Sequence, residues 1–466
     1  MDASAPTVVV PVSCAPKKAP CPKCGKRGTR IRVLHRQVRT LAYQQIAVLD
    51  ITYGEYAARC RCSKTFRTNP DTVLPKAKYD NKVRQAVLDR IVDDGLSVEA
   101  TLKSLQRDFL LDLSPGFVYD CLFDAAAATE LAEHRQQVLE RFAGVLCVDE
   151  IHLGKFTLLL ATDPLGDFPV AFALVSANDQ DHLGRFLRQL RDHGFHPRVV
   201  VTDGSNLYPS LLATIWPHAA HQLCVFHIMQ DLTQEVLDAV KRLRRQQRRR
   251  GNAGRKRRPG RRRSGSRRLT AKDKAHFVFK HRYLLVKRRD KLTLWEQRAL
   301  QTMLEYLPAL RVLHRFMDRV YLLLEASQTE EQAWERYEQW QASAEFRTVP
   351  ELAAVLEGMT VAKFGKVIAF LRSPLGQRVR TNNHVERLNR QIRSDEKVRY
   401  RWRTGRGIVR WMVLLLERCW QSRQSAAGPR LFCPKSGAEP NPGPASRTSE
   451  PRRAESGLAT VLETAG

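Results

Sequence analysis

The chain has 466 residues and a large excess of basic side chains, with 78 Lys and Arg against 48 Asp and Glu and a formal net charge of +30. At about 100–200 residues per domain, this length corresponds to roughly two to four structural units. Hydrophobic residues make up 43% of the chain, which suffices for a sizeable core and excludes a wholly disordered basic protein. No run approaches the roughly 18 apolar residues of a membrane helix, which excludes a membrane-spanning protein.

The predicted elements divide the chain into eight segments, according to the periodicity of its apolar residues. They are a flexible leader at 1–20, a β-rich module at 21–75, a helical region at 81–140, alternating strands and helices at 144–240, an Arg-rich loop at 241–268, a helical insertion at 270–375, a last helical region at 376–425 and a disordered tail at 428–466.

Two cysteine pairs in the β-rich module, Cys21-x-x-Cys24 and Cys60-x-Cys62, predict a structural zinc site. Thiolates from two tight turns supply the tetrahedral sulfur cage that Zn²⁺ prefers, and four sulfurs leave no open position for catalysis. A redox pair or a chance pairing is the alternative. The ten cysteines stand singly or in close pairs, which is typical of a reduced, intracellular protein.

The helical region that follows has the order of a helix-turn-helix. One helix over 83–94 ends at Gly95, a second spans 97–109, and a third spans 116–127. The third helix would then lie in the major groove of DNA. Three short helices that only build a small core are the alternative, but a position between a zinc module and a basic chain favours DNA recognition.

Two aspartates end apolar strands, Asp149 after residues 145–148 and Asp203 after residues 199–202. A carboxylate there is costly unless a cation or hydrogen bonds hold it, and ligands collect at that edge of an α/β sheet. Two such carboxylates on adjacent strands would chelate Mg²⁺ through oxygen. The alternatives are that Asp149 starts a loop and that Asp203-Gly204 is a turn.

Glu386, in the segment TNNHVER, is the candidate for a third acid. The apolar stripe Val385, Leu388 and Ile392 would face the core of the protein, so that Glu386 lies to one side of it and can point along the sheet edge. The spacing Asn383-x-x-Glu386 is also that of a helix capping box, which is the alternative.

More than half of the positive charge lies in residues 241–268, which contain 16 Lys and Arg and no acid, leaving +14 of the +30 for the rest of the chain. Because like charges repel and the segment has no apolar face, we predict a disordered loop there. It is either a solvated insertion or, as the charge favours, a contact for nucleic-acid phosphates. Four arginines near the last helix are further candidates for phosphate contacts, with a solvated helix face as the alternative: Arg380, Arg387, Arg390 and Arg393.

The chain resembles bacterial insertion-sequence transposases of the DDE, RNase H-like superfamily, especially those with an N-terminal zinc ribbon and mutator-like features. The matching segments run in the family's order over about residues 20–425: CPKCG…CRC, VLCVDEIHLGKFTLLLATD, VVVTDGSNLYPSL, HQLCVFHIMQDL and TNNHVERLNRQIR. The resemblance implies an α/β fold in which an RNase H-like core, begun at 144–240 and completed at 376–425, carries a large all-helical insertion. The zinc-binding β module and the helix-turn-helix region precede this core.

The resemblance also implies catalytic roles for Asp149, Asp203 and Glu386, which would bind two Mg²⁺ or Mn²⁺ ions for DNA cleavage and strand transfer. Cys224 and His227 match the family's C/DxxH pair, whose role stays undefined; their spacing alone is more typical of a core cysteine and a satisfied histidine. The expected partners are the terminal inverted repeats of the element and target DNA, with no membrane. A homodimer or higher oligomer would bind them at the nucleoid, in the bacterial cytoplasm.

A different class of function stays open, that of a non-catalytic DNA-binding protein, either a domesticated transposase or a zinc-containing regulator. The presence of all three candidate acids favours the enzyme. An RNase H-like nuclease would keep the metal site without needing a module that recognises element ends.

Overall fold

The computed structural model describes residues 6–58, 62, 64–252, 269–398, 402 and 404–424. Within these ranges the chain forms two β-sheets and several groups of helices. The strands are β1 (Thr7–Cys14), β2 (Lys18–Pro20), β3 (Arg27–Thr40), β4 (Ile46–Ala57), β5 (Thr65–Arg67), β6 (Val145–Leu153), β7 (Phe156–Asp163), β8 (Phe168–Val175), β9 (Val199–Thr202) and β10 (Ala220–Leu223).

The helices differ widely in length. They are α1 (Asn81–Leu88), α2 (Val98–Phe109), α3 (Pro115–Ala128), α4 (Leu131–Arg141), α5 (Gln180–Asp192), α6 (Tyr208–Ile215), α7 (Val225–Asn252), α8 (Ala271–Lys280), α9 (Leu294–Tyr306), α10 (Leu310–Leu324), α11 (Glu330–Gln341), α12 (Ala344–Arg347), α13 (Pro350–Gly358), α14 (Val361–Val367), α15 (Asn383–Val398) and α16 (Gly405–Gln424). A π-helical turn at Asp89–Asp93 extends α1.

The N-terminal sheet has the strand order β1-β4-β3-β2, and β5 pairs with the end of β4. The prediction of a flexible leader over residues 1–20 is wrong for β1 and β2, which belong to this sheet. β1 runs parallel to β4 with Thr7 opposite Ile46, and β2 pairs with β3. The run of valines in β1 has high β-propensity, and the edge of the long β3–β4 hairpin provides its hydrogen-bonding partner.

The three helices predicted after this module are present as α1, α2 and α3. Each begins at a side-chain cap, in which Asp80, Ser97 or Ser114 accepts a hydrogen bond from a backbone N–H in the first turn. Their apolar faces form one core, which Trp411 and Leu414 of α16 complete. Helix α16 therefore joins this region to the rest of the chain.

The central sheet has the order β10-β9-β6-β7-β8. The strands β6, β7 and β8 form an antiparallel meander, and β9 and β10 run parallel to β6. Both faces of the sheet are covered, since β8 is buried along its whole length. Helices α5 and α6 contribute to the core on one face, and α15 and α16 contribute to the core on the other.

A predominantly helical region separates β10 from α15. Helices α8 to α14 pack with α7 around one large apolar core, as predicted for the insertion at 270–375. Within the described part of the chain, no helix is both long enough and apolar enough to cross a membrane.

The prediction of disorder over residues 241–268 is wrong for residues 241–252, which continue α7. The apolar side chains of Val236 and Val240 anchor this helix in the core of the insertion, and Arg242 forms an ion pair of 2.7 Å with Glu351. Tertiary contacts thus stabilise a segment whose charge disfavours a helix in isolation. Residues 253–268 and the predicted tail at 428–466 lie outside the described residues.

Candidate functional site

The register of two parallel strands places Asp149 and Asp203 side by side. Cys147 of β6 lies opposite Val201 of β9. Asp149 lies two residues beyond Cys147 in β6, and Asp203 lies two residues beyond Val201, directly after the end of β9. The charge of Asp203 raises the pKa of Asp149, so the two carboxylates are neighbours. Because strand side chains alternate between faces, both aspartates belong to the face that carries Cys147 and Val201. That face is the one against which α15 packs.

The surroundings of Asp149 favour a cation. Burial, together with the carboxylates of Glu150 and Asp203, raises the pKa of Asp149 to about 7. Asn389 of α15 donates a hydrogen bond of 2.8 Å from Nδ2 to Asp149 Oδ2. Asp203 is held by the backbone N–H of Ser205, which donates to its Oδ1 at 2.9 Å. A divalent cation would relieve the repulsion between these neighbouring carboxylates.

Glu150, the acid next to Asp149, has a structural role on the opposite face of the sheet. The hydroxyl of Tyr208 donates to its Oε2 at 2.5 Å, and Asn178 Nδ2 donates to its Oε1 at 3.1 Å. Both carboxylate oxygens are therefore engaged by neutral donors. The alternation of the strand thus distinguishes the two adjacent acids, and only Asp149 faces α15.

Glu386 approaches the same face of the sheet from α15. Val385, Leu388 and Ile392 are buried against the strands, as the apolar stripe predicted. The capping-box alternative requires Asn383 to precede the helix, whereas α15 begins at that residue. The carboxylate of Glu386 instead lies beside His227, with Oε1 at 3.7 Å from Nε2. This Oε1 is buried and, among the described residues, has no hydrogen-bond donor.

Cys224 and His227 meet Glu386 at the N-terminal end of α7, so that the donor atoms of the three side chains lie within 4.8 Å of one another. A hydrogen bond with Cys224, reinforced by Glu386 and Asp149, raises the pKa of His227 to about 9. His227 is therefore cationic at neutral pH. The spacing of these two residues was more typical of a core cysteine and a satisfied histidine. Cys224 is buried, as that alternative requires, whereas His227 lies beside the candidate catalytic acid Glu386.

Asn382, which the sequence analysis did not single out, connects the parts of the site. Its backbone N–H donates to Cys224 Sγ at 3.2 Å, and its Nδ2 donates to the carbonyl oxygen of Val148 at 3.0 Å. Asn382 is fully buried. It thereby holds the start of α15 against both β6 and α7, immediately before the turn that carries Glu386.

Replacing Asn382 with alanine is expected to lower the free energy of unfolding by about 1–3 kcal/mol, because the carbonyl of Val148 would stay buried without a donor. Urea unfolding followed by circular dichroism measures this change. Asn383→Ala, at the exposed neighbouring position, is the matched control and should unfold like the wild type. Equal unfolding midpoints for the two variants would contradict the bridging role.

A second contact fixes the first turn of α15. His384 Nε2 lies 2.8 Å from Asp167 Oδ1 in the β7–β8 turn, and Arg387 reaches the same oxygen at 3.4 Å. Burial lowers the pKa of His384 to about 4, so this ring is neutral at physiological pH. The contact joins two segments distant in the sequence, and no local spacing indicated it.

The four predicted arginines surround this end of α15, but their partners differ. Arg387 and Arg390 are 66% and 75% exposed, and Arg390 lies 3.9 Å from Glu386 Oε2. Arg393 is exposed near the carbonyl of His152. Arg380 donates to the carbonyl of Leu324 at 3.3 Å and so contacts the helical insertion. The most exposed cations are therefore those of α15.

Three of the four predicted zinc ligands come together in the N-terminal module. The sulfur atoms of Cys21, Cys24 and Cys62 lie within 4.8 Å of one another, and Cys60 lies outside the described residues. Gly25, with φ of +71°, allows the chain to turn sharply after Cys24. A group of sulfur donors at this spacing fits Zn²⁺.

The three candidate catalytic carboxylates are not grouped as closely as the sulfur atoms of the cysteine cluster. The described residues contain two groups of three possible ligands within 4.8 Å, the cysteine group and the group of Cys224, His227 and Glu386. Asp149, Asp203 and Glu386 do not form such a group, so at least one pair of them is further apart. Their oxygen donors fit Mg²⁺ or Mn²⁺.

Sequence comparison supplies one finding. The profile of a family described as Transposase matches residues 146–404, which is more than half of the chain and extends from β6 to beyond α15. No curated protein matches the chain.

Proposed function

The protein belongs to the insertion-sequence transposases of the DDE type and so acts in DNA transposition, and we propose that it cleaves element ends and joins them to target DNA by metal-dependent catalysis. The observation that carries this proposal is the register of β6 and β9, which puts Asp149 and Asp203 near each other on the face covered by α15. Glu386 reaches that face from α15.

In this proposal Asp149, Asp203 and Glu386 hold two Mg²⁺ or Mn²⁺ ions. Such ions activate the attacking hydroxyl and stabilise the departing 3′ oxygen of a phosphodiester. Asn389 orients Asp149 through its hydrogen bond, and His227 lies against Glu386. These neighbours restrict the positions that the carboxylates can adopt, as the ligands of a catalytic metal site require.

The reaction has two steps at the same site. Water attacks a phosphodiester at the element end and releases a 3′-OH, and this 3′-OH then attacks a phosphodiester of the target. The second step exchanges one phosphodiester for another, so neither a covalent enzyme intermediate nor ATP is needed. The side chains near the scissile phosphate include the exposed Arg387 and Arg390, which would hold the DNA backbone.

We also propose that the central sheet with its flanking helices is an RNase H-like core. The support is a mixed five-stranded sheet with candidate acids at two adjacent strands. The helical insertion then separates the last strand of this sheet from α15, which carries the final glutamate. The zinc module and helices α1 to α3 would select the terminal inverted repeats, with the protein acting as a homodimer or higher oligomer on DNA.

Strand transfer distinguishes this function from that of a nuclease. Labelled DNA carrying the sequence that flanks the coding region is incubated with the full chain, Mg²⁺ and a plasmid target. The proposal predicts a labelled product covalently joined to the plasmid, which omission of Mg²⁺ abolishes. Cleavage of the labelled strand without joining would instead identify a nuclease.

Replacing Arg390 with alanine is expected to weaken DNA binding with little dependence on sequence, because the guanidinium of this residue is exposed and would contact a phosphate. Each phosphate contact contributes about 0.9 to the slope of log affinity against log salt, so the slope should become shallower by about that amount. Titrations at several salt concentrations measure it. An unchanged slope would show that Arg390 is only solvated.

A further inference from the structure

A row of aromatic rings crosses α8 and α9 in the helical insertion. Tyr306, Phe277, His281 and Trp295 follow one another with ring centroids 5.5, 4.5 and 5.3 Å apart. The row begins beside the core and ends at Trp295, whose side chain is 61% exposed. Aromatic side chains in such a series usually serve to fill a core, but this row opens to solvent.

A cavity of about 320 Å³ lies along the row. Phe277, His281 and Tyr306 form aromatic walls, and the other lining residues are Leu269, Asp273, His276 and Lys280. The carboxylate of Asp273 accepts hydrogen bonds from the backbone and hydroxyl of Thr270. Burial and the nearby Lys280 lower the pKa of His281. The cavity therefore presents flat aromatic surfaces, one lysine and a carboxylate that is already hydrogen-bonded within the chain.

One lysine and helix α7 lie beside the Tyr306 end of this row. Lys274 of α8 lies 5.2 Å from the ring centre of Tyr306, and Gln247 of α7 donates to the carbonyl of Tyr306 at 2.9 Å. Arg244 and Arg282 stack on Phe279, which faces another side of α8 than Phe277 and His281. The cations next to the row itself are therefore Lys274 and Lys280.

An exposed surface of this composition matches unpaired nucleic acid better than other partners. A positively charged groove follows the phosphates, and exposed rings stack on bases that are not already stacked in a duplex. Duplex DNA offers no free base faces to Trp295, whereas Lys274 and Lys280 beside the rings would attract the phosphates of an unpaired strand.

We propose that this surface binds single-stranded DNA, with bases stacked on Trp295 and in the adjoining cavity and with phosphates on Lys274 and Lys280 of α8. The identification of the strand as DNA rests on the proposed function. The stacking itself depends on no residue of the candidate catalytic site, so an unpaired strand would be held at a second place on the protein.

The test is equilibrium binding of a short fluorescent oligo(dT) strand to the full chain in buffer without Mg²⁺ or Mn²⁺, with a blunt duplex as the comparison. Trp295→Leu retains apolar area without a π-face and is expected to bind the single strand roughly 5- to 100-fold more weakly. Trp295→Phe keeps a ring and should recover most of the affinity. Leu294→Ala changes the exposed neighbour and should bind like the wild type.

Three outcomes would overturn the proposal: wild-type binding of the single strand by Trp295→Leu, an equal loss for the duplex, or an equal loss for Trp295→Phe. Tighter competition by an unstructured RNA than by DNA would overturn DNA as the ligand. Because the assay contains no Mg²⁺ or Mn²⁺ and requires no cleavage, its failure leaves the catalytic proposal standing. Conversely, a catalytic failure of the Asp149 variant leaves single-strand binding unaffected.

Discussion

Asp149→Asn is expected to abolish cleavage of element ends while leaving DNA binding intact. The amide keeps the size of the side chain but removes a negative ligand of the metal ions. Because a catalytic metal stabilises the transition state by several kcal/mol, the cleavage rate should fall by about 10³-fold or more. Binding should persist, since the candidate DNA contacts lie elsewhere. Single-turnover cleavage and a mobility-shift titration measure the two properties.

Stability separates this effect from misfolding. The pKa of Asp149 is raised from 3.8 to about 7 in the folded protein. The charged carboxylate therefore destabilises the fold as the pH rises through this range, whereas the neutral amide of the variant carries no such cost. The melting temperature of the variant at pH 8 should therefore equal or exceed that of the wild type. Asp192→Asn, at the exposed end of α5, is the matched control and should cleave normally. Cleavage by Asp149→Asn within about tenfold of the wild type would remove Asp149 from the catalytic site.

Removal of zinc is expected to unfold the N-terminal module and to eliminate specific recognition of element ends. Among the described residues, the buried cluster beside the cysteines consists of Ala19, Cys21, Tyr56 and Phe66, and a second cluster in the same sheet adds Val38, Ile51 and Val73. Two such clusters are a small core for a folded unit. Structural zinc contributes about 10–16 kcal/mol of apparent binding free energy in comparable small modules. Cys21→Ser or a chelator should therefore reduce the preference for element ends over scrambled DNA to near unity.

Cys14→Ser is the matched control for this loss, because Cys14 lies in the same sheet but outside the cysteine cluster. It should retain about one zinc per chain, measured by atomic emission, and the preference for element ends. When a chelator is added to the wild-type protein, the release of zinc should accompany the loss of specific end recognition. Specific end binding by a zinc-free protein would show that the module folds and recognises DNA without the metal.

Local rules predicted that Asp149 and Asp203 lie near each other, since they follow the paired residues Cys147 and Val201. The prediction that Asp149 ends its strand is wrong, because pairing with β7 continues β6 to Leu153. The same rules could not place Glu386 beside His227. That contact depends on how α7 and α15 pack against the sheet, and the two helices are separated in sequence by the whole insertion. Asn382 and Asn389 were missed for the same reason, since their partners lie on distant strands.

The errors over the leader and the Arg-rich segment have a common physical cause. Both segments depend on a partner that lies elsewhere in the sequence. β1 forms because β4 offers a free edge, and residues 241–252 stay helical because α7 is anchored in the core of the insertion. Charge density and apolar periodicity describe the isolated segment, and tertiary contacts overrode them here.

The aromatic row gave no signal in the sequence because its members follow no regular spacing. Phe277 and His281 lie four residues apart around the end of α8, whereas Trp295 and Tyr306 lie at opposite ends of α9. Only the packing of these two helices brings the four rings into a series. The same packing brings Lys274 to 5.2 Å from the ring centre of Tyr306.

Anomalous diffraction from crystals soaked in Mn²⁺ tests the catalytic proposal most directly, because it locates the metal without requiring the sequence of the element ends. The proposal predicts Mn²⁺ bound by the carboxylate oxygens of Asp149, Asp203 and Glu386. Mn²⁺ bound elsewhere, with Asp149 and Asp203 making no metal contact, would contradict a metal-dependent catalytic site at this edge of the sheet.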